Sequence, residues 1–572
     1  MTAPSSSLVA QDDDEVDGPE ERGGASVSYV RLFMLVLLAT AVVAAGPAAG
    51  ARDQTPKRGG TVVVGDAYLV SEPACLNFIR FGCGSELVID EVLEGAFEFG
   101  GGVVRPNLVS HVEYTTRPPF TLTYHIRPEA RWSDGASITA RDFEFTYRAM
   151  LRHWPKDVDF LERTQVRSAR AVGPKALRVV LKSRFAGWRR LFLFVLPRHA
   201  LAGESLLDVW RDRLDNPKTG QPIGSGPFLL ERWDRGRQIV LRRNPRYWGP
   251  HLAYLDRVIL RVGSETSLAT LGEKAIAGFD SGEIDVHHRR GDPALESDFR
   301  RLRGVRHLSA PGEGWEHLAI RVGPGGHPAL RKKLVRRALA NGIDRVAIVR
   351  DVFGRIDPRL QPSDSAIYPT GSPYYRPNWS TYRYRPALAR SLLEQAGCRR
   401  GTDGIYSCDG ERLRLRFVTI AGVPRRSRVL ELVPSQLRAA GIEAVPSYIG
   451  GASFFDPFLP NGDWDVAVFL FFRDVEPLLL ERVYGCGGQA NFTGYCQRLV
   501  TADLDQADRI LDAENQARVL NRVDAQLARD VPVIPLWQEP AVATIRSNIR
   551  GLRPSFPYLA WNAENWWLAE SR

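Results

Sequence analysis

Between Thr121 and Ile126 the chain alternates, with Leu122, Tyr124 and Ile126 on one side and Thr123, His125 and then Arg127 on the other. A period of two predicts a half-buried strand. Pro128 ends it, because proline cannot donate to a ladder. Trp132 then precedes Ser133-Asp134-Gly135, whose small polar residues and glycine suit a tight turn. Thr139, with Asp142 three residues on, has the spacing of a capping box. Phe143, Tyr147, Met150 and Leu151 follow at i, i+4, i+7 and i+8, which predicts one apolar face of a helix.

The same reading extends along the chain. Gly59 to Gly65 reads as a first strand. His317 to Val322 reads as a strand entering a new lobe, and Arg331 to Gly354 carries Leu334, Ala338 and Leu339 at helical spacing. Ala387 to Ala396 and Leu430 to Ala440 are predicted helices, stopped by Gly397 and Gly441. Trp464-Asp465-Val466-Ala467 opens a further strand. Ile510, Leu511, Val519, Leu520 and Val523 predict one long amphipathic helix from Leu504 to Leu527.

Composition is that of an ordinary globular protein, 44% hydrophobic and 25% charged, and 572 residues suffice for two or three lobes. The formal charge of +10 raises nucleic acid or an anionic membrane as partners. The arginines are scattered, however, and the short clusters Arg331-Lys332-Lys333 and Arg425-Arg426 read as solvated basic surface, so no nucleic-acid partner is expected. Residues 1–28 are acidic and aperiodic, a disordered composition. Arg31, an apolar run and Ala49-Gly50-Ala51 are the parts of a secretory signal over 29–51. Cleavage after Ala51 removes seven acidic and two basic residues and raises +10 to +15. Two alternatives stand beside it: a true start nearer Val30, or a retained membrane anchor. No cysteine lies near this run, so a lipoprotein is not expected.

Six cysteines fall as Cys75 and Cys83, Cys398 and Cys408, Cys486 and Cys496. Even, close pairs suit disulfides in an oxidising compartment, each contributing under about 3 kcal/mol. None has the C-x₂₋₄-C spacing of a zinc site. The chain also lacks a G-x-S-x-G elbow and an H-E-x-x-H helix, so neither an enzyme nor a metal or organic cofactor is expected. His287-His288 reads as part of a solvated loop, since neighbours on a strand point oppositely. Trp132 and Asp134 read as structural, a buried indole beside a turn, and Gly224-Ser225-Gly226 as a tight turn without a Walker lysine. From Asp465 to Pro477 an apolar strand abruptly presents Arg473, Asp474 and Glu476, which makes this stretch the best candidate for ligand contact.

Several segments together resemble a known family. Arg127-Pro128, Trp132-Ser133-Asp134-Gly135, Thr139-Ala140 and Asp142-Phe143 are similar, in order and spacing, to the hallmark of extracellular solute-binding proteins of the oligopeptide, dipeptide and nickel family (family 5). These are the capture subunits of ABC importers. After the first strand, Val88 to Phe97 looks like the family's next helix. Further matches are Ile223 to Phe228 with Asn244-Pro245 and Tyr247-Trp248-Gly249, then Ser281 to Val286, Val335 to Leu339, Ile343-Asp344-Arg345 and Val531 to Trp537.

The resemblance implies a two-lobed α/β periplasmic-binding-protein fold of the large three-subdomain class, with the ligand cleft between the lobes. The first lobe is expected at 58–312 with a subdomain at about 91–222, the second at 313–531, and a return to the first at 532–572. In oligopeptide binders the strand opening Asp-Val-Ala runs into an acidic residue that pairs with the peptide ammonium. Asp474 stands at that place, Phe471 stands where similar proteins have tryptophan, and Phe472 and Arg473 lie between. This chain is one residue shorter there, so Asp474 and Glu476 both stand as acceptor. The implied function is to capture oligopeptides or similar solutes outside the membrane, as a monomer, for delivery to permease subunits. Two other ligand classes stay open on this fold: a lipid or glycolipid bound by a non-transporting regulator, and nickel or haem.

Overall fold

Two strands much longer than local pattern suggests, Val305–Ile320 and Val533–Arg546, run antiparallel along each other, from Val305 opposite Arg546 to Ala319 opposite Val533. They form the middle of a ten-stranded sheet among the residues described by the computed structural model. Those residues are 55–65, 73–80, 86–100, 103–154, 164–262, 268–289, 295–472, 476–555 and 560–570. The expectations for 1–28 and 29–51 lie outside them. Among the described residues no helix is long and apolar enough to cross a membrane.

The sheet order is Phe228–Asp234, Gln238–Arg243, Arg257–Arg261, Thr61–Gly65, Val286–Arg289, Val533–Arg546, Val305–Ile320, Val466–Phe472, Arg414–Ile420 and Glu443–Ile449. One buried cluster packs along its first half, from Val62 to Leu260 with Val286, and is completed by Ala543, Ile545, Ile549 and Trp566. A second packs along the other half, from Trp315 to Trp537. Each lobe therefore owns a core, and both crossings between them fall inside strands. The pairing of the two long strands slips between Pro311 and Trp315, where Gln538 Nε2 donates to the Gly312 carbonyl at 2.7 Å. A separate four-stranded sheet, ordered Val109–Tyr114, Thr121–Ile126, Ala176–Leu181 and Val166–Gly173, flanks the first lobe.

The hallmark segments turn out to fasten this frame. Trp132 is fully buried, and the Asp142 carboxylate accepts from the Thr139 N–H at 2.7 Å, which closes the capping box on the helix Ala140–His153. Phe143 and Tyr147 face the core as expected, but Leu151, at the last turn, is 37% exposed. Gly224 and Gly226 are glycines because a Cβ would collide with the carbonyls of Val92 and Glu91, at 2.5 and 2.4 Å, so the segment is a close backbone approach. Asn244 Nδ2 then donates to the Gly226 carbonyl and Trp248 Nε1 to that of Ser225. Arg336 donates to the carbonyls of Asp530 and Leu330. Arg345, also buried, bonds Asp364 and the carbonyls of Ser363, Pro535, Trp379 and Tyr382.

Five expectations are corrected. The helix expected from Val88 to Phe97 is Glu86–Val92; the Ala96 N–H turns to the Phe192 carbonyl, and Phe97 opens the strand Phe97–Gly100. Leu504 to Leu527 is two helices, Arg498–Ala507 and Ala513–Asp530, because the Asp512 carboxylate caps the second by accepting from the Asn515 N–H. Arg331 to Gly354 is likewise divided, into Lys333–Asn341 and Arg345–Phe353, with Asp344 accepting from the Ala347 N–H. His287 and His288 are buried on the central strand Val286–Arg289, between Thr61–Gly65 and Val533–Arg546. Burial pushes the His288 imidazole down to about 3, so it stays neutral. Arg425 and Arg426 are no solvated patch: both are buried against Glu316, and Arg425 also faces Glu539. Disulfides join Cys398 to Cys408 and Cys486 to Cys496. Cys75 is also disulfide-bonded, while its expected partner Cys83 lies outside the described residues.

Candidate ligand site at the seam between the lobes

The strand Val466–Phe472 is apolar throughout, and its alternation sorts the two faces: Val466 and Val468 enter the second core, Ala467 and Phe469 a smaller aromatic cluster on the far side. Trp315 on the neighbouring long strand stands directly opposite Phe471, and His317 opposite Phe469. Opposite residues share a face, so these four rings stack: Trp315 on His317 at 4.3 Å, His317 on Phe471 at 5.2 Å, Phe469 edge-on at 5.1 Å from Phe471. The stack ends in a recess of about 100 Å³, walled by Trp315, Ile367, Phe471, Phe472, Leu478 and Tyr484.

The first lobe closes over this region with the short helical turn Ala186–Arg190. Ala186 N donates to the Asp508 carbonyl at 2.7 Å. Gly187 leaves room for neighbouring side chains, since a Cβ would stand 2.4 Å from a Leu478 methyl and 2.5 Å from the Phe185 ring. Arg189 pairs with Glu476 at 2.7 Å, the two side chains 28% and 19% exposed, and its guanidinium lies over the Trp188 ring at 4.4 Å. On the second lobe, Asp508 accepts from the Leu479 N–H, and burial pushes its carboxyl up to about 6. The seam thus combines an apolar recess with a charge pair whose members belong to different lobes. Such an arrangement can bind a ligand of mixed character and couple its binding to lobe separation.

Of the residues expected at the site, Phe471, Phe472 and Glu476 are brought together here, with Phe472 54% exposed beside the recess. Glu476 already holds Arg189 across the lobes. Arg473 and Asp474 lie outside the described residues. Sequence reasoning missed Gly187, Trp188, Arg189 and Trp315. Arg189 is one arginine among many, and its partner is 287 residues away, so no local pattern marks it.

Residues 103–488 match the family described as bacterial extracellular solute-binding proteins, family 5 (middle). The oligopeptide-binding protein OppA of Mycobacterium tuberculosis is 27% identical over 461 residues, covering 79% of this chain and 74% of that protein. Among solved structures, the periplasmic EDTA-binding protein EppA superposes with a TM-score of 0.76 at 19% identity, over 91% of this chain and 98% of that one. The oligopeptide-binding protein AppA from Bacillus subtilis, in complex with a nonapeptide, superposes at 0.67 and 20% identity, over 90% and 100%. At these identities the two structural likenesses speak for the two-lobed fold.

Proposed function

The chain belongs to family 5 of the bacterial extracellular solute-binding proteins, and from that premise we propose that it captures oligopeptides outside the cytoplasmic membrane and delivers them to the permease of an ABC importer. The observation that carries this reading is the seam itself, where an apolar recess on one lobe meets a charge pair completed by the other. The names of relatives support the same ligand class. Capture of this kind is binding without covalent chemistry, and peptide main chain is held by strand addition, which tolerates many side chains. A ligand contacting both lobes favours closure by its differential affinity for the closed state.

Glu476 is engaged by Arg189, which favours Asp474 as the acceptor of the peptide ammonium. A buried ammonium left unpaired costs several kcal/mol, so such a cleft needs a carboxylate at a fixed place. Asp474→Asn is expected to weaken peptide binding by about 2–5 kcal/mol with the fold intact. Acetylating the peptide amino end should then cost wild type heavily and the variant little, a coupling that calorimetry on the four combinations measures. Simple additivity transfers the role to Glu476. Native mass spectrometry of the purified protein identifies the co-purified ligand, and a lipid or a metal complex in place of peptide overturns the peptide reading.

A further inference from the structure

The outer face of the four-stranded sheet carries a second constellation, apart from the seam. His111 and Glu113 stand two residues apart on the strand Val109–Tyr114 and therefore share a face. His125, on Thr121–Ile126, is directly opposite His111. One donor atom from each of the three lies within 4.8 Å of the others. Glu113 is 3.6 Å from His125 Nε2 and 4.0 Å from His111 Nε2. The two imidazoles are parallel, with centroids 4.2 Å apart.

Two details distinguish this from an ordinary polar patch. The pairing slips between Val109 and His111, and the extra residue, Ser110, turns its hydroxyl into the group. Ser110 Oγ donates to the His125 carbonyl at 3.2 Å and lies 3.0 Å from His111 Nδ1. With its proton committed to that carbonyl, the Ser110 oxygen accepts from Nδ1–H. His111 is then held in the tautomer whose Nε2 carries a lone pair, on the side of Glu113. Second, His125 Nε2 is itself buried and has no hydrogen-bond partner among the described residues. A ring nitrogen so placed, beside a carboxylate and a second imidazole, is a suitable metal ligand.

We propose that His111, Glu113 and His125 form a binding site for a borderline divalent transition metal of the zinc type, with Ser110 as a positioning residue. Two imidazoles and one carboxylate suit zinc, nickel or copper; calcium and magnesium demand more oxygen ligands. A tetrahedral ion with ligands at about 2.1 Å holds them about 3.4 Å apart. The side chain of His111 is 59% exposed, so its ring can turn out of the parallel stack to meet that geometry. The bound ion would tie the edge strand of the sheet to its neighbour, on a face remote in sequence from every seam residue.

The test uses the tag-free full-length protein, stripped with chelator and titrated with zinc chloride by calorimetry and with cobalt(II) by absorption. Wild type should bind one equivalent in the micromolar range and show the d–d bands of a low-coordinate cobalt site. Each of His125→Ala and Glu113→Gln should weaken zinc at least tenfold. Ser110→Ala should weaken it about tenfold, the usual effect of losing a group that orients a ligand. All three should keep the metal-free melting temperature and peptide affinity of wild type. The exposed His111→Gln is the second variant should a buried change disturb the sheet. Absence of zinc binding by wild type, or an equivalent retained when both histidines are replaced, overturns the proposal. The latter result places the ion elsewhere in the molecule.

Discussion

Two groups of buried acids, one in each lobe, are held in opposite ways. In the second, Glu316 meets Arg426 at 2.7 Å and Arg425 at 3.7 Å, Glu539 meets Arg425 at 3.4 Å, and Asp364 meets Arg345 at 2.8 Å. In the first, Glu91, Glu94 and Glu564 gather beside a cavity of about 810 Å³ lined by Arg105, Asn107, Tyr247, Trp561 and Glu564 among others. Desolvation, reinforced by neighbouring carboxylates, holds the Glu91 carboxyl well above the usual range. Desolvation likewise pushes Glu94 up to about 8, against the bonds it accepts from Asn107 and Tyr247, and Glu564 up to about 7. These acids of the second lobe are thus neutralised with arginine and these of the first with protons, while burial also raises the carboxyls of Asp508 and Asp524 in the second lobe. The first device fails when a partner is removed, the second when pH rises.

Arg345→Met should break the second device most severely. It takes from Asp364 the buried one of its two arginines, leaving the half-exposed Arg383 at 3.1 Å, and removes the donor to four carbonyls; one-sided removal of a buried pair costs about 3–5 kcal/mol. Urea denaturation gives the loss, and hydrogen exchange should localise it to the second lobe. Equal loosening of both lobes would erase the contrast. Arg426→Met should cost about 3 kcal/mol, since among the described residues Glu316 then keeps only Arg425. Adding Glu316→Leu should restore more than half, a double-mutant measurement of the pairing itself.

The first lobe is expected to respond to pH instead. Folded Glu94 keeps its proton up to about 8, whereas the unfolded group loses it near 4.5. The folded state therefore binds more protons between those values, and stability is full below 4.5 and falls as pH rises towards 8. Glu94 is only part-buried, so the fall should be on the order of 2 kcal/mol, less than the full linkage value. Glu94→Gln should flatten it and leave the lobe more stable at pH 8; an unchanged slope would shift the role to Glu91 or Glu564. Smallest is the pair between the lobes. Glu476→Gln should move the ligand-free open–closed balance by about 1 kcal/mol, roughly fivefold, without loosening either lobe. Small-angle scattering reads the change as expansion, and an unchanged radius means that Arg189 is no latch.

Local pattern made the strand–turn–helix from Thr121 to His153 legible, because its strand, cap and turn are decided by residues close in sequence. It failed where burial depends on distant partners. His287-His288 looks solvated between Asp285 and Arg289, yet the strands that enclose it come from residues 61–65 and 533–546. Arg425-Arg426 looks like surface until the two long strands bring Glu316 and Glu539 against it. The seam was half legible. An apolar strand ending in charges marks Phe471 to Glu476, but nothing near Arg189 announces its partner. The family hallmarks point to the frame, since Asn244, Trp248, Arg336 and Arg345 spend most of their hydrogen bonds on backbone carbonyls of their own lobe.

The route of the chain through its central sheet also sets an order in time. The second lobe's core is continuous in sequence from Trp315 to Trp537, whereas the first lobe's needs Ala543, Ile545, Ile549 and Trp566 from the far end. A chain that emerges amino end first can therefore finish its later lobe before its earlier one. A version ending at Pro540 should keep a protease-resistant second lobe and leave the first digestible, although nearly all of the first has been made. Until the last strand slides in beside Val286–Arg289, the first lobe waits with an open sheet edge, and that interval is when the protein is most exposed to aggregation.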